Sequence, residues 1–248
     1  MTFSEMSAMD KKIRLIAMDL DGTLTQHKEP LTAENRRALE ALSEKYQLVM
    51  VGAGGCRRIF EQLGRFPIDV IGNYGLQYAR YDSERGDIVL MRDVSFPTDR
   101  DSIDERVRAL RQRHSYTAFR GESVEYHASG CVTLPLLGTR AIQADKLAFD
   151  PNRKKRRAFY REVVETFSEY NVFIGGSSSF DMSPRPYDKA YALDLYCKEH
   201  GIEHSEVIYL GDDYGRGGND ESVYKADFNY IEVDDYREFP ALISFLLD

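Results

Sequence analysis

Cysteine is scarce in this chain of 248 residues. Cys56, Cys131 and Cys197 are an odd number, widely spaced, with no Cys-x-x-Cys pair. That pattern disfavours both a disulfide framework and a cysteine-based zinc site, and makes a reducing cytoplasmic compartment the expectation. Positive charge is also short. Lys and Arg number 33 against 41 Asp and Glu, for a net charge of −8. Affinity for phosphate backbones comes mostly from excess Lys and Arg, so a general nucleic-acid binder is disfavoured. A small anionic ligand stays compatible, because a site can be locally positive inside an acidic protein. Long apolar runs are missing: Ala241-Leu242-Ile243-Ser244-Phe245-Leu246-Leu247 is too short to span a bilayer, so no membrane partner is expected. The start, MTFSEMSAMDKK, lacks the apolar stretch of a signal peptide, and fits either an extension before Met9 or a start at Met9. No internal repeat is present.

What remains is an ordinary globular composition, 42% hydrophobic and 12% aromatic, enough for one large domain or a core with a second module. Ile13 to Met18 reads as a buried strand. Leu31 to Tyr46 reads as a helix with Thr32 as N-cap, Glu34 in the first turn, and Ala38, Leu42 and Tyr46 on one face. Leu48–Val51 and Val70–Ile71 are further strands, separated by the glycine loop 52–55 and a helix from Arg57 to Leu63. Strand, helix, strand, helix, strand predicts a parallel sheet with crossover helices.

From Tyr81 the pattern changes to hairpins and helices. A turn at Glu84-Arg85-Gly86 joins the strands of Tyr81 to Met91. Helices are expected over Ile103–Arg113 and Asn152–Tyr170, and short strands over Glu122–Tyr126, Cys131–Leu137 and Val172–Ile174. The alternating pattern returns with helix Ala190–His200, strand Val207–Leu210, a strand near Tyr230–Val233 and a C-terminal helix. The expectation is an α/β core, residues 10–85 and 187–248, split by an inserted α+β module at 86–186.

Ligands of open parallel sheets sit at the carboxyl ends of the strands. Asp19-Leu20-Asp21-Gly22-Thr23, the loop Gly52-Ala53-Gly54-Gly55 and Gly211-Asp212-Asp213 all fall there. Asp19, Asp21 and Asp212 thereby converge on one edge, where their charges repel unless a cation joins them; oxygen ligands with a phosphate select Mg²⁺. A carboxylate can also attack phosphorus, with a second carboxyl passing protons to the leaving oxygen. Two-residue spacing at a strand end is expected to lean Asp19 and Asp21 to the same side.

Asp19-x-Asp21-Gly22-Thr23 behind an apolar strand resembles the nucleophile motif of the haloacid dehalogenase (HAD) superfamily of phosphotransferases. Lys189, in Tyr187-Asp188-Lys189-Ala190, and Gly211-Asp212 with Gly217-Gly218-Asn219-Asp220 stand in that superfamily's order and spacing. Val51-Gly52, Phe60-Glu61-Gln62-Leu63-Gly64 and Gly175-Gly176-Ser177-Ser178-Ser179-Phe180-Asp181 add a similarity to the eukaryotic-type phosphomannomutases that runs over most of the chain. The resemblance implies a Rossmann-like HAD core with an inserted substrate-specificity cap. It implies Asp19 as nucleophile and metal ligand, Asp21 as acid/base and as a metal ligand through its backbone carbonyl, and Asp212 as a metal ligand. Asn219 and Asp220 would support the metal, a Mg²⁺. Lys189 would hold the phosphate with Gly22, and Ser179 and Asp181 would meet sugar hydroxyls.

Two departures are visible. The superfamily's second motif usually brings a Ser or Thr hydroxyl to the phosphate; here that slot falls in Ala53-Gly54-Gly55, so the backbone N–H groups of Gly54 and Gly55 are the expected donors. The mutases grip a distal phosphate with several cap arginines; Arg140 fits one, while the others map near His127 and Lys146 or Leu147. Losing that grip favours hydrolysis. The expectation is a Mg²⁺-dependent phosphatase of a small phosphorylated metabolite, a sugar phosphate, working through phospho-Asp19. A phosphosugar mutase is the alternative, and a non-catalytic ligand-binding HAD fold the remote one. A monomer or a cap-mediated homodimer fits equally. The basic run Arg153-Lys154-Lys155-Arg156-Arg157 reads as a solvated helix face, His127 as a structural or exposed histidine, and Cys56 as no nucleophile.

Overall fold

A computed structural model describes residues 13–247 of the chain. The expectations for residues before Met9 lie outside the described residues. In chain order the elements are β1 (Leu15–Met18), α1 (Ala33–Ser43), β2 (Gln47–Val51), α2 (Cys56–Gln62), β3 (Asp69–Gly72), β4 (Gln77–Asp82) and β5 (Asp87–Asp93). Then come α3 (Arg100–Arg113), β6 (Glu125–Tyr126), β7 (Val132–Pro135), α4 (Gln143–Phe149), α5 (Lys154–Thr166), β8 (Tyr170–Phe173) and β9 (Ser179–Pro184). The chain closes with α6 (Lys189–His200), β10 (Val207–Gly211), α7 (Glu221–Lys225), β11 (Asn229–Glu232), α8 (Phe239–Leu242) and α9 (Ser244–Leu247). None of the described helices is long and apolar enough to cross a membrane.

Two compact units result. The first, a core, joins the segment up to Asp93 to Lys189–Gly215 and Asp220 onward; the second holds Val94–Asp188 and Arg216–Asn219. The core sheet has seven strands in the order β11-β10-β1-β2-β3-β4-β5, parallel from β11 to β3 and antiparallel for β4 and β5. β1, the middle one of the five parallel strands, is apolar without alternation because both faces are covered: Ile16 and Met18 join one cluster with α1 and α2, Leu15 and Ala17 another with α6. Thr32 caps α1, its side chain accepting from Asn35 N–H. The helix ends at Ser43, and Tyr46, expected on its face, instead follows it and donates its hydroxyl to Leu246 O.

The strand β5, which the sequence reading gave to the inserted module, extends the core sheet by pairing with β4 through the tight turn between them. A hairpin strand follows its partner into whatever sheet the partner has joined, and β4 pairs with β3.

The second unit carries a four-stranded antiparallel sheet, β6-β7-β9-β8, around its own apolar cluster of Ile103, Val107, Leu134, Phe159, Val163, Phe180 and neighbours. α5 is shorter than expected. Arg153 sits in the left-handed region at φ 57°, and the Asp150 carboxylate accepts from the N–H groups of Lys155 and Arg156 and so caps the helix. The basic run here is not a solvated face throughout. Arg156 is 1% exposed, paired with Asp150 at 3.0 Å, and its Nη1 donates to the carbonyls of Gly175, Gly176 and Ser179. A guanidinium can be buried this way because nearly every donor finds an acceptor.

Candidate active site

The carboxyl ends of β1 and β10 stand side by side. Met18 is in register with Leu210, and Asp19 N–H donates to Leu210 O, so the residues just beyond both strands are neighbours. Asp19 and Asp212 follow there. Lys189, the first residue of α6, is wholly buried, with Nζ 2.8 Å from Asp19 Oδ1 and 2.7 Å from Asp220 Oδ1. Asp220 is also wholly buried; its carboxylate accepts from the Tyr209 hydroxyl at 2.5 Å and from Asp213 N–H at 3.0 Å. Asp212 accepts from Thr23 Oγ1 at 3.2 Å.

Gly22 makes the approach possible. It lies at φ +101°, and a Cβ there would stand 2.4 Å from Asp212 Oδ2. Any side chain at this turn is strained twice, by conformation and by the carboxylate.

Negative groups crowd this cluster. Carboxylate oxygens of Asp19, Asp212 and Asp220 lie within 4.8 Å of one another, around one ammonium. Burial pushes the Asp19 carboxyl well above its ordinary range; Lys189 opposes this, and the charges of Asp220 and Asp212 add to it. Burial acts to strip the proton from Lys189, but Asp19 and Asp220 outweigh it and hold the ammonium above the ordinary lysine range. Burial and the same two aspartates keep the Tyr209 hydroxyl protonated and donating. Three hard oxygen donors with surplus negative charge fit a divalent cation of the Mg²⁺ type, and no nitrogen or sulfur ligand competes among them.

Asp21 has other partners. β1 ends at Met18, and residues 20–25 form a turn closed by Leu24 N–H and Thr25 N–H to Leu20 O, so strand parity does not carry past Asp19. The Asp21 carboxylate accepts from Lys28 N–H and from Gln62 Nε2, each at 2.7 Å, and lies 3.4 Å from Arg58 Nη1. Burial raises its pKa, but Lys28, Gln62 and Arg58 together bring it below the ordinary value. Asp19 therefore turns to α6, and Asp21 to α2.

The remaining expected residues fall as follows. Gly54 and Gly55 lie in the loop before α2, with Gly55 as its N-cap; Cys56 N–H, the first of the helix, donates to Gln77 Oε1. Cys56 Sγ donates to Val70 O, and burial pushes the thiol up to about 12, which suits no nucleophile. Asn219 is half-buried and precedes Asp220 in the chain. In the second unit Ser179 and Asp181 share a face of β9. Ser179 Oγ donates to Gly175 O, and Asp181 accepts from Thr133 Oγ1 on β7. His127 Nε2 lies 3.1 Å from that same hydroxyl. Arg140 is exposed in the loop after β7, its backbone N–H donating to Arg120 O. Lys146 Nζ donates to Thr139 O. Sequence reasoning gave no role to Thr23, Arg58, Gln62 or Tyr209. Thr23 stood inside the quoted nucleophile motif and Gln62 inside a quoted similarity, the only signals any of them offered.

A family model described as eukaryotic phosphomannomutase matches residues 35–232. This chain belongs to that family. Among its relatives, the phosphomannomutase of Spinacia oleracea is 26% identical over 229 residues, covering 88% of this chain and 90% of that one. The phosphomannomutase of Nicotiana benthamiana is 28% identical over 234 residues, covering 88% and 87%. Among solved structures, an N-terminally truncated, IMP-bound IMP-nucleotidase of Plasmodium falciparum superposes with a TM-score of 0.71 at 14% identity, over 97% of this chain and 69% of that one. A haloacid dehalogenase-like hydrolase of B. subtilis superposes with a TM-score of 0.62 at 17% identity, over 94% and 100%. At such identities these two structures share the fold alone. As a member of the eukaryotic phosphomannomutase family the chain is an enzyme, and its fold is that of the haloacid dehalogenase-like hydrolase.

Proposed function

We propose that this enzyme is a Mg²⁺-dependent phosphatase of a sugar phosphate, working through an aspartyl phosphate on Asp19. The observation that carries the reading is the buried Lys189 bridging Asp19 and Asp220 at 2.8 and 2.7 Å beside Asp212. One ammonium and three carboxylates at the end of a parallel sheet suit phosphoryl transfer. Asp19, Asp212 and the Asp21 carbonyl would hold the Mg²⁺, which when bound supplies charge neutralisation at the transferring phosphoryl group.

The chain's own residues do the rest. An Asp19 oxygen forms a bond to phosphorus as the bond from phosphorus to the sugar oxygen breaks, and the sugar oxygen takes a proton from Asp21. Asp21 must carry that proton at that moment, although the N–H donors of Lys28 and Gln62 favour the carboxylate at rest. Asp21, now a carboxylate, removes a proton from water; the hydroxide attacks phosphorus, orthophosphate leaves and the Asp19 carboxylate returns. Lys189, kept charged by its two aspartates, attracts the phosphoryl oxygens and holds Asp19 in place. Asp220, held by the Tyr209 hydroxyl, holds Lys189. In the second unit, Ser179 and Asp181 would receive sugar hydroxyls.

A phosphosugar mutase is the second reading, favoured by the family match over residues 35–232. In that case phospho-Asp19 passes its group to another sugar hydroxyl instead of water. Against it stand His127 and Lys146, which replace a distal arginine grip by a ring bonded to Thr133 and an ammonium bonded to Thr139 O. Phosphorus NMR with Mg²⁺ and a hexose 1-phosphate, with and without a hexose bisphosphate, separates the two. Growth of inorganic phosphate is the expected result. Hexose 6-phosphate that forms only when the bisphosphate is present refutes hydrolysis and establishes the mutase.

A further inference from the structure

The loop 52–55 brings no hydroxyl to the sheet edge, yet the space there is filled. A Cβ built on Gly54 would lie 2.2 Å from Arg58 Nη2, 2.4 Å from Nε and 2.6 Å from Cζ. The Arg58 guanidinium, from the first turn of α2, therefore lies against Gly54 in the volume that a side chain at 54 would take. Its position is fixed but its charge is weakly engaged. The firm bond is Nη1 to Gln62 Oε1 at 2.7 Å, whereas the two contacts to Asp21 Oδ2 are 3.4 and 3.5 Å. The side chain is 45% exposed, so a ligand can reach it.

The charge balance of the edge asks for such a group. Asp19 and Asp220 share the buried ammonium of Lys189, Asp212 lies beside them, and Asp21 lies beside Arg58. A phosphate dianion entering beside these carboxylates is repelled by them and gains from a further positive charge within its reach. Guanidinium is the side chain whose planar fork matches two phosphate oxygens at once.

We propose that Arg58 is a phosphate-binding residue of this site, its guanidinium supplying from the Gly54 position the donors that the glycine loop lacks. The absence of a side chain at Gly54 leaves the space that the Arg58 guanidinium takes. This rests on the reading of the edge as a phosphoryl-transfer site. On substrate entry the long contacts to Asp21 give way to two short N–H···O bonds to the phosphate, while Gln62 keeps the guanidinium in register.

The test is titration calorimetry of inorganic phosphate at fixed Mg²⁺ with the full chain. Arg58→Ala is expected to weaken binding about 10–100-fold, the range for charge-assisted hydrogen bonds. Arg58→Lys is expected to fall between, having the charge without the fork. Gly54→Ser combined with Arg58→Ala is expected to recover most of the loss, because the serine then has the vacated space and can donate a hydroxyl. The exposed position of Arg58 keeps these variants folded, which melting temperatures verify. Unchanged phosphate affinity in Arg58→Ala overturns the proposal, also when turnover falls, since Arg58 then only positions Asp21. Absence of phosphate binding to the unaltered chain overturns it too. Turnover by the unaltered enzyme with unchanged phosphate affinity in Arg58→Ala refutes Arg58 alone. No turnover, with phosphate affinity lost on Arg58→Ala, refutes the function and leaves Arg58 standing.

Discussion

Replacing Asp220 by alanine should cost the core more than any other single change at the sheet edge. The carboxylate is wholly buried and accepts from Lys189 Nζ, the Tyr209 hydroxyl and Asp213 N–H. Breaking a buried ion pair costs about 3–5 kcal/mol, and each buried donor left without an acceptor about 1–3 kcal/mol more. Lys189 keeps Asp19 as a partner, and Asp19 loses a like charge nearby, so the low end of each range applies. The sum is roughly 5 kcal/mol. For a chain of this size one kcal/mol moves the melting temperature by about 2–4 °C, giving a fall of roughly 10–20 °C. Scanning calorimetry in a chelating buffer reads this without a metal contribution. Asp220→Asn keeps the shape and one acceptor oxygen, and should recover about half of the loss. A melting point for Asp220→Ala within about 2 °C of the unaltered protein refutes the reasoning, because the three bonds would then carry no net stability.

Asp19→Asn should abolish turnover without lowering the melting temperature in chelator, since burial among carboxylates already disfavours the charge it removes; a large drop in stability would show that the Lys189 pair outweighs burial. In the second unit, Arg156→Met should cost about 3–5 kcal/mol by leaving Asp150 buried without its partner. Burial raises the Asp150 pKa, but the N–H groups of Lys155 and Arg156 and the Arg156 guanidinium hold it below the ordinary value. Its contribution is therefore complete above the unfolded carboxylate pKa of about 3.9 and fades as pH falls through the lower folded value. Melting curves at pH 7 and pH 2 should show the gap between the two proteins narrowing in acid, and an equal gap at both refutes the pairing. Burial pushes the thiols of Cys56 and Cys197 up to about 12. At pH 8 about one in ten thousand is then thiolate, against about a quarter of ordinary cysteines. Mass spectrometry after iodoacetamide should find both unmodified until denaturant is added, and rapid native labelling refutes their burial.

The parts of this site that could be read in advance are those whose chemistry is local. An apolar run that stops at an acid announces both β1 and Asp19; Asp212 repeats the device at the end of β10, and Lys189 is identified by its place between them. Arg58, Gln62 and Tyr209 could not be read that way. Their meaning depends on which helix lies beside which strand end, and a tyrosine inside Val207-Ile208-Tyr209-Leu210 looks like any strand residue. The parity argument for Asp21 failed because nothing in the letters marks Met18 as the last strand residue, while the turn that follows is fixed by Gly22 and by bonds to Leu20 O. Arg156 was hidden in a run of like residues, four of which give no hint that one lies inside. β5 was misplaced because a hairpin turn records which strands pair and not which sheet they enter.

The order of the core sheet also sets a schedule for making the protein. The inner strand β1 is synthesised first, but its neighbour β10, and Lys189 with it, come about 170–190 residues later. At about 5–20 residues per second on a ribosome, β1 waits roughly ten to forty seconds with one edge unpaired and Asp19 without its counterion. A nascent chain ending at Asp93 has strands β1 to β5 but exposes, in the middle of the finished sheet, an apolar edge flanked by a lone carboxylate. Such an edge is a template for any passing strand. The geometry that builds the site from the two ends of the chain thus makes the last third of the sequence the guardian of the first.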